Sequence, residues 1–129
     1  MVTGERGYIG AVLVPKLIEE GYDVVGYDSG YFSENQLVHF DEDYPRITKD
    51  IRDIAKEDLE GVDGIIHLAG LSNDPLGEFS PKLTKDINYN GTMRLAEMAK
   101  DIGVSRFVYA SSQSMYGVSN TSSELNEDD

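Results

Sequence analysis

The chain has 129 residues, with 11 Lys+Arg against 24 Asp+Glu for a net charge of −13, and it contains no Cys. That length fits one domain and leaves no room for a second full one. The acidic balance argues against nucleic-acid and anionic-membrane partners, whose phosphates are bound mainly by Lys and Arg, and the lack of Cys excludes disulfides, zinc–thiolate sites and cysteine nucleophiles. The hydrophobic share, 40%, is enough to bury a core. No apolar run approaches the ~18 residues of a membrane span, and Met1 to Gly7 lacks the pattern of a signal peptide. A soluble cytoplasmic protein with no metal, no nucleic acid and no membrane partner is expected.

Taken in order, Val2-Thr3 reads as the stub of a strand ending at Gly4. Tyr8 to Glu20 reads as a helix with Ile9, Val12, Leu13 and Leu17 on one side. Pro15 lies inside it and predicts a kink, because proline removes a donor and crowds the preceding turn at a cost of about 3 kcal/mol. Asp23 to Tyr27 is a short strand before the turn Asp28-Ser29-Gly30, and residues 29–44 form a long loop with at most one helical turn. Arg46 to Thr48 reads as an edge strand, Ile54 to Leu59 as a short helix, and Gly64 to Leu68 as a buried strand.

Ser80-Pro81 is a helix start, a capping hydroxyl followed by proline at the first helical position. That helix runs to Ile102 with Leu83, Ile87, Gly91, Leu95 and Met98 along one side. Met93, Ala96 and Ala99 make a second apolar set, the basis for expecting a homodimer through the 81–102 helix. Arg106 to Ala110 is the next strand and leads into Ser111-Ser112. The composition then turns acidic, so residues 118–129 read as a solvated loop or tail. Alternating strands and helices point to a parallel α/β sheet. The short first strand and the acidic end lead us to expect a fold truncated at both ends.

Gly4-Glu5-Arg6-Gly7-Tyr8-Ile9-Gly10 is a Gly-x-x-Gly-x-x-Gly run at a strand-to-helix junction. Such glycines allow a tight turn, close approach of backbone to a pyrophosphate and tight helix packing, while the helix start offers N–H groups to the anion. Asp28 lies 18 residues past Gly10, near the ~20 expected for an acid that holds a ribose 2′-hydroxyl. A carboxylate there repels a 2′-phosphate and favours NAD. Arg6 pulls the other way, since a guanidinium near the ribose accepts such a phosphate, so NADP stays open. Asp28 also reads as a turn former before Ser29-Gly30.

These residues, with Asp50-Ile51, His67-Leu68-Ala69-Gly70, Asn88-Tyr89-Asn90-Gly91-Thr92 and Ser111 to Gly117, resemble in order the extended short-chain dehydrogenases/reductases. More narrowly, the chain resembles the N-terminal part of an NAD-dependent nucleotide-sugar epimerase/dehydratase. The resemblance implies a Rossmann-type doubly wound parallel sheet. Gly4, Gly7 and Gly10 would form the pyrophosphate loop, with backbone contacts from Tyr8 and Ile9. Asp28 would hold the ribose, Asp50 and Ile51 would flank the adenine, and Leu68, Ala69 and Gly70 would line the cofactor. Asn88 would sit near the cofactor ribose, and Ser112 would contact the reacting oxygen of the sugar as a catalytic hydroxyl. Each has an alternative: Asp50 as a turn former, Asn88 pairing within its helix, Gly91 as a packing residue. His67 reads as a satisfied strand-end histidine.

The family's chemistry also needs Tyr-x-x-x-Lys, where one helical turn sets the lysine beside the tyrosine whose pKa it lowers. Four residues after the eight tyrosines stand Val12, Gly26, Tyr31, Asn35, Thr48, Met93, Gln113 and Asn120, none of them Lys. The resemblance thus implies a partial dinucleotide-binding domain over residues 1–117, with the Tyr/Lys segment and the substrate domain beyond Asp129. A dinucleotide-binding module with no chemistry is the alternative. A P-loop or receiver domain is set aside for want of their motifs.

Overall fold

The computed structural model describes residues 1–33, 43–72, 79–117, 125, 126 and 128. Five strands form one sheet: β1 (Val2–Thr3), β2 (Gly26–Asp28), β3 (Arg46–Thr48), β4 (Gly64–His67) and β5 (Arg106–Tyr109). Their spatial order is β3-β2-β1-β4-β5, every pairing is parallel, and β1 therefore lies in the middle. The short first strand still pairs on both sides, Thr3 standing level with Tyr27 on one side and His67 on the other.

Parallel neighbours need crossovers, and each crossover covers a face of the sheet. Alternate residues of β4 divide between the two faces. Ile65 joins Tyr27, Ile51, Ile54, Leu59, Ile87, Leu95 and Ala99 in one buried cluster. Ile66 packs on the opposite side against Val2, Val14 and Val24. The sheet is thus doubly wound, and the order reverses between β1 and β4. A crevice outside the carboxyl ends of the strands is expected at that reversal.

Helix α1 (Gly10–Glu19) crosses from β1 to β2 and runs unbroken through Pro15. The expected buried side is corrected in part: Val14 and Gly10 are buried and Leu17 packs against the core, whereas Ile9 and Val12 are exposed. Apolar residues stand nearly all round this helix, so spacing alone selects no face. Contact at the helix start does. A Cβ on Gly10 would lie 2.5 Å from the carbonyl oxygens of Gly4 and Glu5, so this side of the helix meets the loop, and Val14 follows one turn later.

Strand β2 begins at Gly26 and takes in Asp28, later than the expected Asp23–Tyr27, although Val24 is buried. The short helix expected over Ile54–Leu59 is instead a pair of 3₁₀ turns, Ile51–Asp53 and Lys56–Leu59. The long helix is continuous in outline but not uniform. Helix α2 (Pro81–Lys85) passes through a π-helical segment, Asp86–Gly91, into α3 (Thr92–Ile102). Ser80 caps its start through the Leu83 N–H. Ile87, Gly91, Leu95 and Ala99 are its buried residues, so Ala99 belongs to the core and not to the second apolar set, while Leu83 is exposed. Gly91 is a packing residue, its absent Cβ leaving room for Ile51 Cγ2 at 3.0 Å. The long-loop expectation falls partly on residues 34–42, and the acidic-tail expectation mostly on 118–124, 127 and 129, outside the described residues. Among the described residues no helix is long and apolar enough to cross a membrane.

Candidate cofactor-binding cleft

Where β1 ends, the chain turns at Gly4 with φ +70°, and a Cβ there would lie 2.7 Å from the backbone nitrogen of Ala69. The loop after β1 can therefore press against the segment after β4 only with glycine at this place. The cleft between them is lined by Gly4, Arg6 and Gly7, by Asp28, Ser29, Tyr31 and Phe32 after β2, by Lys49, Asp50 and Ile51, and by Leu68 to Leu71. It lies at the carboxyl ends of β1, β2 and β4. At the start of α1 no side chain caps the helix, since Ile9 offers none. The Ala11 and Val12 N–H groups bond the Gly7 and Ile9 carbonyls at 3.0 and 3.1 Å, and the helix start carries the positive end of its dipole. Tyr8, 82% exposed, and Ile9 do not line the cleft with their side chains, and neither does Gly10, whose role is packing.

Asp28 closes β2 with its carboxylate in the cleft. One oxygen accepts the Gly30 N–H at 2.7 Å and the other the Arg6 N–H at 3.2 Å. The turn reading of Asp28 therefore holds, and the same bonds fix the carboxylate's direction. Asp50 shows its turn reading too: it accepts the Arg52 N–H at 2.9 Å and receives the Arg52 guanidinium on both oxygens, at 2.9 and 2.7 Å. Those Arg52 bonds hold its carboxyl below the usual carboxylate range, against a weaker opposing effect of burial. The Tyr31 hydroxyl reaches the same carboxylate at 3.4 Å, and the Asp50 carbonyl accepts from the Tyr27 hydroxyl at 3.1 Å. Burial pushes the Tyr27 phenol well above its ordinary value, so it stays a donor. Ile51 is buried behind Asp50.

The far wall is held by backbone and amide. Leu68 N–H bonds the Thr3 carbonyl at 3.0 Å and Ala69 N–H the Thr3 hydroxyl at 3.3 Å. Asn88, on the π-helical segment, grips Leu71 at both ends: its oxygen accepts the Leu71 N–H at 2.8 Å and its NH₂ donates to the Leu71 carbonyl at 2.9 Å. The alternative of pairing within its own helix is thereby corrected. Asn88 stands behind the cleft lining and not in it. His67 is buried and bonded at both ring nitrogens, to the Thr3 and Thr92 hydroxyls, as a structural histidine should be.

Ser112 follows β5, where the Ala110 N–H bonds the His67 carbonyl at 3.2 Å and keeps this loop at the carboxyl edge of the sheet. The Ser112 hydroxyl accepts the Ser114 N–H at 3.1 Å and caps the 3₁₀ turn Gln113–Tyr116. It is exposed and lies outside the cleft lining. The fold thus gathers Gly4, Gly7, Asp28, Asp50, Ile51, Leu68, Ala69 and Gly70 in one cleft, whereas Tyr8, Ile9, Gly10, Asn88 and Ser112 do not line it.

Sequence reading missed Glu5, 2% exposed beneath the glycine loop, and the lining residues Tyr31, Phe32 and Lys49. No local signal marks the carboxylate between Gly4 and Arg6 as buried, because its partners Tyr44 and Arg46 stand about 40 residues away. The two aromatics could have been noticed as an unusual pair directly after the Asp28-Ser29-Gly30 turn.

The family described as "NAD dependent epimerase/dehydratase family" matches residues 1–129. The UDP-glucose 4-epimerase of Mycolicibacterium smegmatis is 34% identical over 124 residues, covering 91% of this chain and 40% of that protein. Among solved structures, MoeE5 in complex with UDP-glucuronic acid and NAD superposes with a TM-score of 0.83 at 30% identity, over 99% of this chain and 40% of that one. The Thermus thermophilus UDP-glucose 4-epimerase in complex with NAD gives 0.84 at 26% identity, over 98% and 42%. The chain thus spans about two fifths of the length of these relatives.

Proposed function

Because the chain belongs to the NAD-dependent epimerase/dehydratase family, we propose that it forms the cofactor-binding part of an enzyme acting on a nucleotide sugar. The observation that carries this reading is the cleft at the carboxyl ends of β1, β2 and β4, where the glycine loop, Asp28, Asp50-Ile51 and Leu68–Gly70 meet. The groups present suit a dinucleotide. An uncapped helix start and a glycine loop suit a pyrophosphate, and a carboxylate aimed by two backbone N–H groups suits a ribose hydroxyl.

In this reading Gly4, Gly7 and Gly10 shape the loop, and the backbone at Tyr8 and Ile9 offers N–H groups to the phosphates. Asp28 accepts from the ribose. Asp50 and Ile51 flank the adenine, with the carboxylate already oriented by Arg52. Leu68, Ala69 and Gly70 lie along the cofactor, and Asn88 holds that wall in place from behind. Ser112 hydrogen-bonds the reacting oxygen of the sugar. Bound NAD supplies hydride acceptance from a sugar carbon and its return. Residues 1–117 are the cofactor-binding unit. The same reading gives the protein a cytoplasmic location and pairs the 81–102 helix with its copy.

The chain has eight Tyr and no Trp, so energy transfer from tyrosine to bound NADH reports binding directly. We expect saturable binding of NADH, weakened about tenfold by Asp28→Ala, since a hydrogen bond to a charged group is worth roughly 1.5–3 kcal/mol. No turnover of a nucleotide sugar is expected from a chain in which no Tyr precedes a Lys by four. A well-folded chain that binds no NADH, or an Asp28→Ala variant that binds as well as the parent, would overturn the reading.

A further inference from the structure

Arg6 sits where the adenosine ribose is read, and the structure determines what its charge can do. Its backbone N–H is bonded to Asp28. Its guanidinium crosses the turn that follows, with Nη1 3.0 Å from the place a Cβ on Gly30 would occupy. Nη2 donates to the Thr48 hydroxyl at 3.3 Å, and Nε donates to Glu5 Oε1 at 3.1 Å. Glu5 is itself fixed. Its other oxygen accepts the Tyr44 hydroxyl at 2.6 Å, and Arg46 Nε lies 3.8 Å from Oε1. The Arg46 guanidinium in turn stacks on the Tyr44 ring, 3.9 Å from its centroid. Room for this carboxylate exists because residue 26 is glycine: a Cβ there would lie 2.7 Å from Glu5 Cγ.

We propose that Glu5 is a selectivity residue: by holding the Arg6 guanidinium it withholds that cation from a 2′-phosphate and sets the cleft for NAD over NADP. This rests on the cofactor reading above. An arginine recognises phosphate by presenting several N–H donors in one plane. Here Nε faces a buried carboxylate and Nη2 a strand hydroxyl, so two positions of the planar fork are already engaged where it lines the cleft. A 2′-phosphate arriving at the turn meets Asp28 and a guanidinium already bonded to Glu5 and Thr48. Arg6, which by sequence alone favours NADP, is thereby turned into a support for the loop. Glu5 acts through Arg6 and is a positioning residue, not a ligand.

The test is the ratio of the NADPH and NADH dissociation constants of the 129-residue chain, because loosening of the fold weakens both cofactors together and leaves the ratio unmoved. Glu5→Gln keeps the shape and the Tyr44 acceptor but removes the charge. It is expected to move the ratio about tenfold towards NADPH, the worth of one charge-assisted hydrogen bond to phosphate. Adding Arg6→Ala to Glu5→Gln should cancel that gain. A folded Glu5→Gln chain with an unmoved ratio, or a gain that survives Arg6→Ala, overturns the proposal. If Glu5→Gln does not fold, Thr48→Val removes the other anchor and should shift the ratio in the same direction by a smaller factor; no shift there counts equally against the proposal. A parent chain that binds both cofactors alike also overturns it, whereas one that binds neither removes the cofactor reading itself and this inference with it.

Discussion

His67 shows how one buried side chain ties three elements together. Thr92 donates its hydroxyl proton to the Asn88 carbonyl at 2.7 Å, so the His67 Nε2–H is the donor to Thr92 at 2.8 Å, and Nδ1 accepts from Thr3. The neutral ring therefore links β1, β4 and α3. Burial lowers its pKa from 6.5 to about 4. The folded state resists a proton that the unfolded chain accepts near pH 6.5, so this contribution is complete above that pH and is lost as pH falls towards 4. Urea unfolding at pH 7, 6 and 5 should show a loss of about 2 kcal/mol by pH 5, and His67→Gln should lack most of that slope. Equal slopes in both chains would assign the loss to carboxylates instead.

At the scale of elements, the long helix owes its function to its irregular part. A π-helical turn inserts a residue into the regular ladder and re-aims the side chains around it. Here it carries Asn88 to the backbone of Leu71 while Gly91, on the same segment, admits Ile51. One helix thus positions both walls of the cleft, Ile51 on one side and the 68–71 segment on the other. Asn88→Ala leaves the Leu71 N–H and carbonyl without this partner, and should cost about 1–3 kcal/mol in urea unfolding. NADH affinity should fall with it. A variant that loses stability but keeps full affinity would mean that the clasp supports the fold and not the cleft.

For the whole molecule, the net charge of −13 sets the terms of association. Two copies repel one another unless salt screens them, the Debye length being about 10 Å at 0.1 M. Pairing through the 81–102 helix would use Met93, which is 43% exposed, while Ala99 is committed to the core. Sedimentation velocity should therefore show a dimer that strengthens between 0.05 and 0.5 M salt, and Met93→Glu should shift it to monomer; these concentrations span roughly a threefold change in screening length. A monomer under all these conditions would exclude this face as the contact.

The sequence by itself determined the plan. The alternation of apolar runs marked the strands and crossover helices found among the described residues, and the glycine run, Asp28 and Ser80-Pro81 declared themselves because their signals are local: a turn, a cap, a fixed spacing. His67 was legible as a satisfied residue and Gly91 as a packing one from their places on a strand and a helix, although Thr3, Thr92 and Ile51, which meet them, lie far along the chain. Tertiary structure decided what depends on partners far along the chain. It chose the buried face of α1 by seating Gly10 on the carbonyls of Gly4 and Glu5, which periodicity could not do for a helix apolar nearly all round. It turned the Asn88 amide to Leu71 and buried Glu5 against Tyr44 and Arg46. A charge's role follows from the charges that face it, and in this protein those are brought together only when the sheet forms.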